Sequence, residues 1–166
     1  MGQLEKGTQL LRLPPNDISK LIGSGKIREY LTQEQFTLLS PWLPLVQLGY
    51  QWREAALESG ERGSGSTVTR AIIDYGTPYV LLAFVIEGVL TDEIGVQRLL
   101  RKQLETIEDL CNNFALRFEY ISEPEKQPEW NSYQLGLKLR DKTRETLDEH
   151  EDIWLKYIFP DPENDD

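Results

Sequence analysis

Apolar residues in the centre of the chain recur every three or four positions, and this is the clearest pattern in the sequence. Thr91 can cap a helix there, with Asp92 and Glu93 in the first turn, near the positive end of the helix dipole. The apolar stripe consists of Val96, Leu100, Leu104, Ile107, Cys111 and Phe114. A stripe of this width is typical of a helix packed against a sheet. The pattern therefore predicts a long core helix from Thr91.

Two segments before this helix have the composition of strands. Residues 67–73 are rich in β-branched side chains, and residues 79–86 are apolar at every position. Residues 74–78 between them contain the glycine and proline that a turn needs. These features predict a β-hairpin whose second strand is buried on both faces.

Two further strands and a closing helix are predicted after the long helix. Residues 116–120 and 133–139 alternate apolar and polar side chains, as half-buried strands do. A polar loop with one large aromatic side chain separates them. The closing helix, residues 143–159, should bury Leu147, Trp154, Tyr157 and Ile158.

The chain as a whole is predicted to form one α+β domain, residues 16–159, because each element needs a partner for its apolar face. Its sheet is mainly antiparallel and four-stranded, in the order β-β-α-β-β-α. The capping-box spacing of Thr32 and Gln35 supports helices before the sheet. The predicted parts are an irregular segment (1–15), a helical portion (16–59), a flexible linker (60–66), the sheet and its helices (67–159) and a disordered acidic tail (160–166).

Composition and charge limit the classes of function. With 39% hydrophobic and 28% charged residues, the chain can form a core, and its longest apolar run, residues 79–86, is too short to cross a bilayer. A net charge of −10 argues against direct binding of nucleic acid. A single cysteine, Cys111, and an N-terminus without an apolar signal segment favour the cytoplasm.

Motifs for catalysis, cofactors or metals are not found in the sequence, so no residue is assigned to those roles. Residues 23–26, Gly-Ser-Gly-Lys, lack the preceding strand and the glycine spacing of a phosphate-binding loop. The one histidine, His150, lies in an acidic run that a solvated helix face explains better than a metal site.

The function that the sequence favours is therefore a non-enzymatic one: an adaptor, assembly factor or small acidic chaperone that binds another protein. Trp42, Tyr50 and Trp130 are the predicted partner-binding residues, because aromatic side chains bury much area at interfaces. The order of elements also resembles that of small acidic α+β chaperones, a likeness of fold alone. It implies a homodimer formed through the long helix or a sheet edge.

The alternative is a small-molecule-binding domain or a carboxylate-based enzyme. Its pocket would lie beside Arg70, Asp74 and Tyr75, at the end of the predicted hairpin, with residues 60–66 as a lid. A structural interpretation competes with it, since Asp74 can stabilise the turn and Arg70 can lie on the wet face of a strand.

Overall fold

The structure is a computed structural model, and it describes residues 3–61 and 77–162. Every long element in those residues is an α-helix. In chain order they are α1 (Gln3–Leu11), α2 (Pro15–Ser24), α3 (Gln33–Leu39), α4 (Leu43–Glu61), α5 (Tyr79–Ile86), α6 (Glu93–Phe118), α7 (Trp130–Glu149) and α8 (Glu151–Ile158). Short 3-10 turns lie at Lys26–Tyr30, Ser40–Trp42 and Pro124–Lys126. The predicted α+β class with a four-stranded sheet is wrong, because the described residues form a helical fold.

The predicted buried strand at residues 79–86 is helix α5. A run that is apolar at every position has no period, so its sequence fits a buried helix as well as a buried strand. Leu81, Leu82, Val85 and Ile86 are all buried. The first strand of the predicted hairpin, residues 67–73, lies outside the described residues.

The other two predicted strands are helical as well. Residues 116–120 complete and follow the last turn of α6, where Phe118 is buried one turn after Phe114 while Leu116 and Tyr120 are exposed. Residues 133–139 belong to α7. Its buried face consists of Ser132, Gly136, Leu139, Thr143, Thr146 and Leu147. Four of these are small or polar, so the hydrophobic pattern of the sequence does not show the helical period.

The long central helix and the capping box are confirmed. Helix α6 begins one residue later than expected, because Asp92 caps it and accepts a hydrogen bond from the Gly95 amide at 2.7 Å. Thr32 and Gln35 form the reciprocal capping box at the start of α3. The prediction of an irregular segment at residues 1–15 is wrong, since α1 forms within it.

Helix α4 lies at the centre of the fold, against α2 and α5 and also against α7. Helices α6 and α7 form an antiparallel pair. Residues near the end of α6 contact the start of α7, and residues near the start of α6 contact the end of α7. Three polar contacts show this order. Arg117 binds Glu129 through two hydrogen bonds of 2.7 and 2.9 Å, Glu108 contacts Arg144 at 3.3 Å, and Gln97 reaches the His150 carbonyl at 3.1 Å.

Among the helices of the described ranges, none combines the length and the apolar content that crossing a bilayer requires.

Gly49, in the middle of α4, provides a test of the contact between α4 and α5. A β-carbon there would lie 2.8 Å from the backbone nitrogen of Tyr79 and 3.3 Å from Pro78. Backbone atoms cannot turn aside as a side chain can, so Gly49→Ala should lower the free energy of unfolding by about 1–3 kcal/mol. Urea denaturation followed by circular dichroism measures this change.

Gly60, near the end of the same helix, provides the matched control. A β-carbon at Gly60 meets no atom of residues 3–61 or 77–162 within 4 Å. Gly60→Ala should therefore leave stability unchanged or raise it by about 0.5–1 kcal/mol through helix propensity. Equal effects of the two substitutions would show that α4 and α5 do not approach each other closely.

Candidate protein-interaction surface

The aromatic residues that the sequence singles out lie mostly inside the fold. Trp42 is fully buried and Tyr50 is 5% exposed, so both side chains belong to the core of the protein. Burial raises the pKa of the Tyr50 hydroxyl far above its ordinary value. Trp130 is partly buried and packs edge-on against Phe118 and Tyr133. The alternative pocket residues Arg70, Asp74 and Tyr75 lie outside the described residues.

His150 forms the joint between α7 and α8, and the structure places it in a set of contacts that the sequence does not reveal. Its Nδ1 atom lies 3.1 Å from Oε1 of Glu93, in the first turn of α6. Its ring packs against Trp42, with centroids 4.6 Å apart, and its carbonyl accepts a hydrogen bond from Gln97. The joint is therefore fixed to α6 rather than lying on a solvated acidic face.

Two arginines of α6 hold α8 through its aromatic side chains. The guanidinium of Arg101 lies over the Trp154 ring, 4.6 Å from its centroid. The guanidinium of Arg98 lies 5.5 Å from the Tyr157 ring centroid and donates a hydrogen bond to the Tyr157 hydroxyl. These contacts fix one side of α8 by cation–π attraction rather than by deep burial.

The apolar side chains of α8 stay partly open to solvent around the helix. All eight residues of α8 are described, and none of them is buried. Four of its apolar side chains are 41–48% exposed, and Phe159, directly after the helix, is 73% exposed. Tyr157 and Ile158, which the sequence predicts as buried, are among them. We call this surface the α8 apolar face; it consists of Ile153, Leu155, Tyr157, Ile158 and Phe159.

Acidic side chains lie next to the α8 apolar face along the chain. Asp148, Glu149, Glu151 and Asp152 precede or begin the helix, and within the described part of the chain no ion pair joins these four to a basic side chain. The surface thus combines exposed apolar area with a negative field. Such a combination is suited to binding another macromolecule.

Groups that could perform chemistry are scarce in the part of the chain that the structure covers. There, no three His, Cys, Asp or Glu side chains come together to hold a metal ion. The Cys111 thiol is buried in the core, and burial raises its pKa to about 11, which keeps it protonated and unreactive near neutral pH.

A groove of about 420 Å³ between Trp42 and Glu93 is lined mainly by α3 and the following turn.

Sequence reasoning missed the α8 apolar face because it assigned the closing helix to the core. One sequence feature could have revealed it. Ile153, Leu155 and Ile158 lie on both sides of Trp154, so the apolar arc is wider than a helix packed along one side needs.

Comparison of the chain with protein-family models, with curated protein sequences and with solved structures finds no significant match.

Cys111 gives a pH-dependent test of the core. Its pKa rises from 9.0 to about 11 in the fold, so the native state holds the thiol proton more tightly than the unfolded state does. The contribution of this group to stability is complete below pH 9 and is lost as the pH rises toward about 11. Cys111→Ala should therefore lose less stability over that range than the wild type in urea denaturation. An equal loss would contradict the burial of the thiol, since both proteins retain Tyr50.

The contact between Arg101 and Trp154 gives a test of how α8 is held. Arg101→Ala should raise amide hydrogen exchange in residues 151–158 by about fivefold, the effect of removing roughly 1 kcal/mol of cation–π attraction. Exchange in α4 should not change. Lys102→Ala is the control, because Lys102 is the next residue on α6 and its side chain is exposed. If both variants exchange alike, Arg101 does not hold α8.

Proposed function

We propose that this chain is a non-enzymatic protein-interaction module, an adaptor, assembly factor or small acidic chaperone, that binds another protein through the α8 apolar face. One observation supports the proposal most directly: helix α8 exposes four apolar side chains, and Phe159, the residue after it, exposes a fifth. Monomeric proteins rarely expose a large contiguous apolar patch unless it serves binding.

The free energy available from covering this surface supports a reversible complex. A fully buried large apolar side chain contributes about 1.5–3 kcal/mol, so covering the exposed half of one contributes about 1 kcal/mol. Five such side chains contribute roughly 5 kcal/mol, from which the entropy cost of association is subtracted. Hydrogen bonds and charge must supply the remaining binding free energy. Because the apolar contribution is small, a transient complex is more consistent with it than a permanent one.

We place the module in the cytoplasm. The support is the cysteine content, since the single, buried Cys111 suits a reducing compartment.

The proposal is tested by capturing partners with the tagged full chain from cells of its source and analysing the complexes by native mass spectrometry. The variant Leu155→Gln/Ile158→Gln should lose a stoichiometric partner that the wild type retains. Both side chains are 42–44% exposed, so the melting temperature should change by only a few degrees.

The matched control is Leu116→Gln/Tyr120→Gln, which removes two exposed apolar side chains at the other end of α6. This control should keep the partner. Equal retention by the wild type, the α8 variant and the control would overturn the proposal, as would a wild-type chain that carries no stoichiometric protein.

A further inference from the structure

We infer that the partner segment covering the α8 apolar face is a cationic amphipathic helix, with apolar side chains on one side and Lys or Arg beside them. This inference rests on the proposed function and adds the chemical class of the partner. It is carried by the charges around α8.

Negative charge is concentrated at this end of the chain. Residues 145–166 contain nine Asp or Glu and one Lys, Lys156, whereas the whole chain has a net charge of −10. Counting Lys156 against the nine acids leaves −8 in these 22 residues, so most of the net charge belongs to the segment of sequence that contains α8. A partner with positive charge would gain both affinity and association rate from this field.

Two of these acids are placed where they do not benefit the fold. Asp148 and Glu149 lie in the last turn of α7, at the negative end of its helix dipole, and that turn contains no basic residue. Acidic side chains are unfavourable at this position. Neither has an ion-pair partner in the described part of the chain. Their charge is therefore available to a partner.

Two basic groups near α8 are engaged by its aromatic rings. Arg98 lies over Tyr157 and Arg101 lies over Trp154. In the described part of the chain, neither guanidinium forms an ion pair with the acidic residues at the start of α8.

The sign of the charge selects among the possible occupants of the face. A second copy of this chain would bring the same acidic residues against each other, and an anionic membrane or a nucleic acid would be repelled in the same way. A cationic segment has the opposite sign. The length of α8, about 12 Å for eight residues, suits an apolar stripe of two to three turns on a partner helix.

The test uses three fluorescent peptides of roughly 18 residues, about 27 Å long when helical. The first contains Leu at helical spacing with Lys at the other positions. The second replaces each Lys with Glu, and the third keeps the composition of the first but scrambles the order to remove the helical period. Fluorescence anisotropy with the full chain should show binding of the first peptide, and weaker binding of the other two by tenfold or more.

Variants then identify the surface. Asp148→Asn/Glu149→Gln should weaken binding of the Lys peptide by about threefold to tenfold without destabilising α7. Glu119→Gln/Glu125→Gln, an equal change of charge at the far end of α6, should not weaken it. Leu155→Gln/Ile158→Gln should weaken binding at least as strongly as the charge variant. Raising the salt concentration should reduce the affinity of the wild type more than that of the charge variant.

Each other result overturns the inference in a way that can be told apart from failure of the proposed function. If the Glu peptide binds and only the Leu155/Ile158 variant weakens it, the face binds a partner of another charge. If the Lys peptide binds but only the charge variant weakens it, the contact is electrostatic attraction outside the face. A dimer in analytical ultracentrifugation that Leu155→Gln/Ile158→Gln abolishes would assign the face to a second copy. Absence of binding by the Lys peptide would reject a cationic partner, while the capture experiment still decides the proposed function.

Discussion

The close packing of Trp52 against Gly136 is the contact on which the rest of the structure depends. A β-carbon at Gly136 would lie 3.0 Å from the Trp52 ring and 3.2 Å from the Cys111 sulfur, so the glycine lets α4, α6 and α7 approach more closely here than a larger residue would. The indole nitrogen of Trp52 has no hydrogen-bond partner in the described residues, and close packing therefore fixes the ring. Helices α6 and α7 both reach this contact, and their antiparallel pairing brings His150, at the end of α7, against Glu93, at the start of α6.

The parts of the fold that could be predicted are those with a complete local pattern. The apolar stripe of helix α6 extends along more than twenty residues, and the first turn of this helix is acidic. The capping box of α3 is formed by two residues that are three positions apart. Two helices were mistaken for strands. Residues 79–86 have no hydrophobic period, and the buried face of α7 includes small residues, so neither segment shows a helical pattern. On α7, Gly136 packs against the Trp52 ring, which comes from a distant part of the chain.

The candidate surface was not predicted from the sequence, although its chemistry is visible there. Acidic residues stand beside apolar ones after Glu145. It does not show which aromatic side chains the core uses. Trp42 is buried because the joint at His150 packs over it, and this contact joins residues more than one hundred positions apart. Long-range contacts of this kind decide between core and surface, and a single sequence does not reveal them.

Because α8 contributes no buried side chain, natural selection for folding acts only weakly on its sequence. Substitutions in Ile153, Leu155 or Ile158 can accumulate without the loss of stability that would remove a variant from a population, whereas substitutions at Trp52 or Gly136 cannot. If α8 binds a partner as proposed, the preference for that partner can therefore diverge between descendants of this chain while α4, α6 and α7 keep their arrangement.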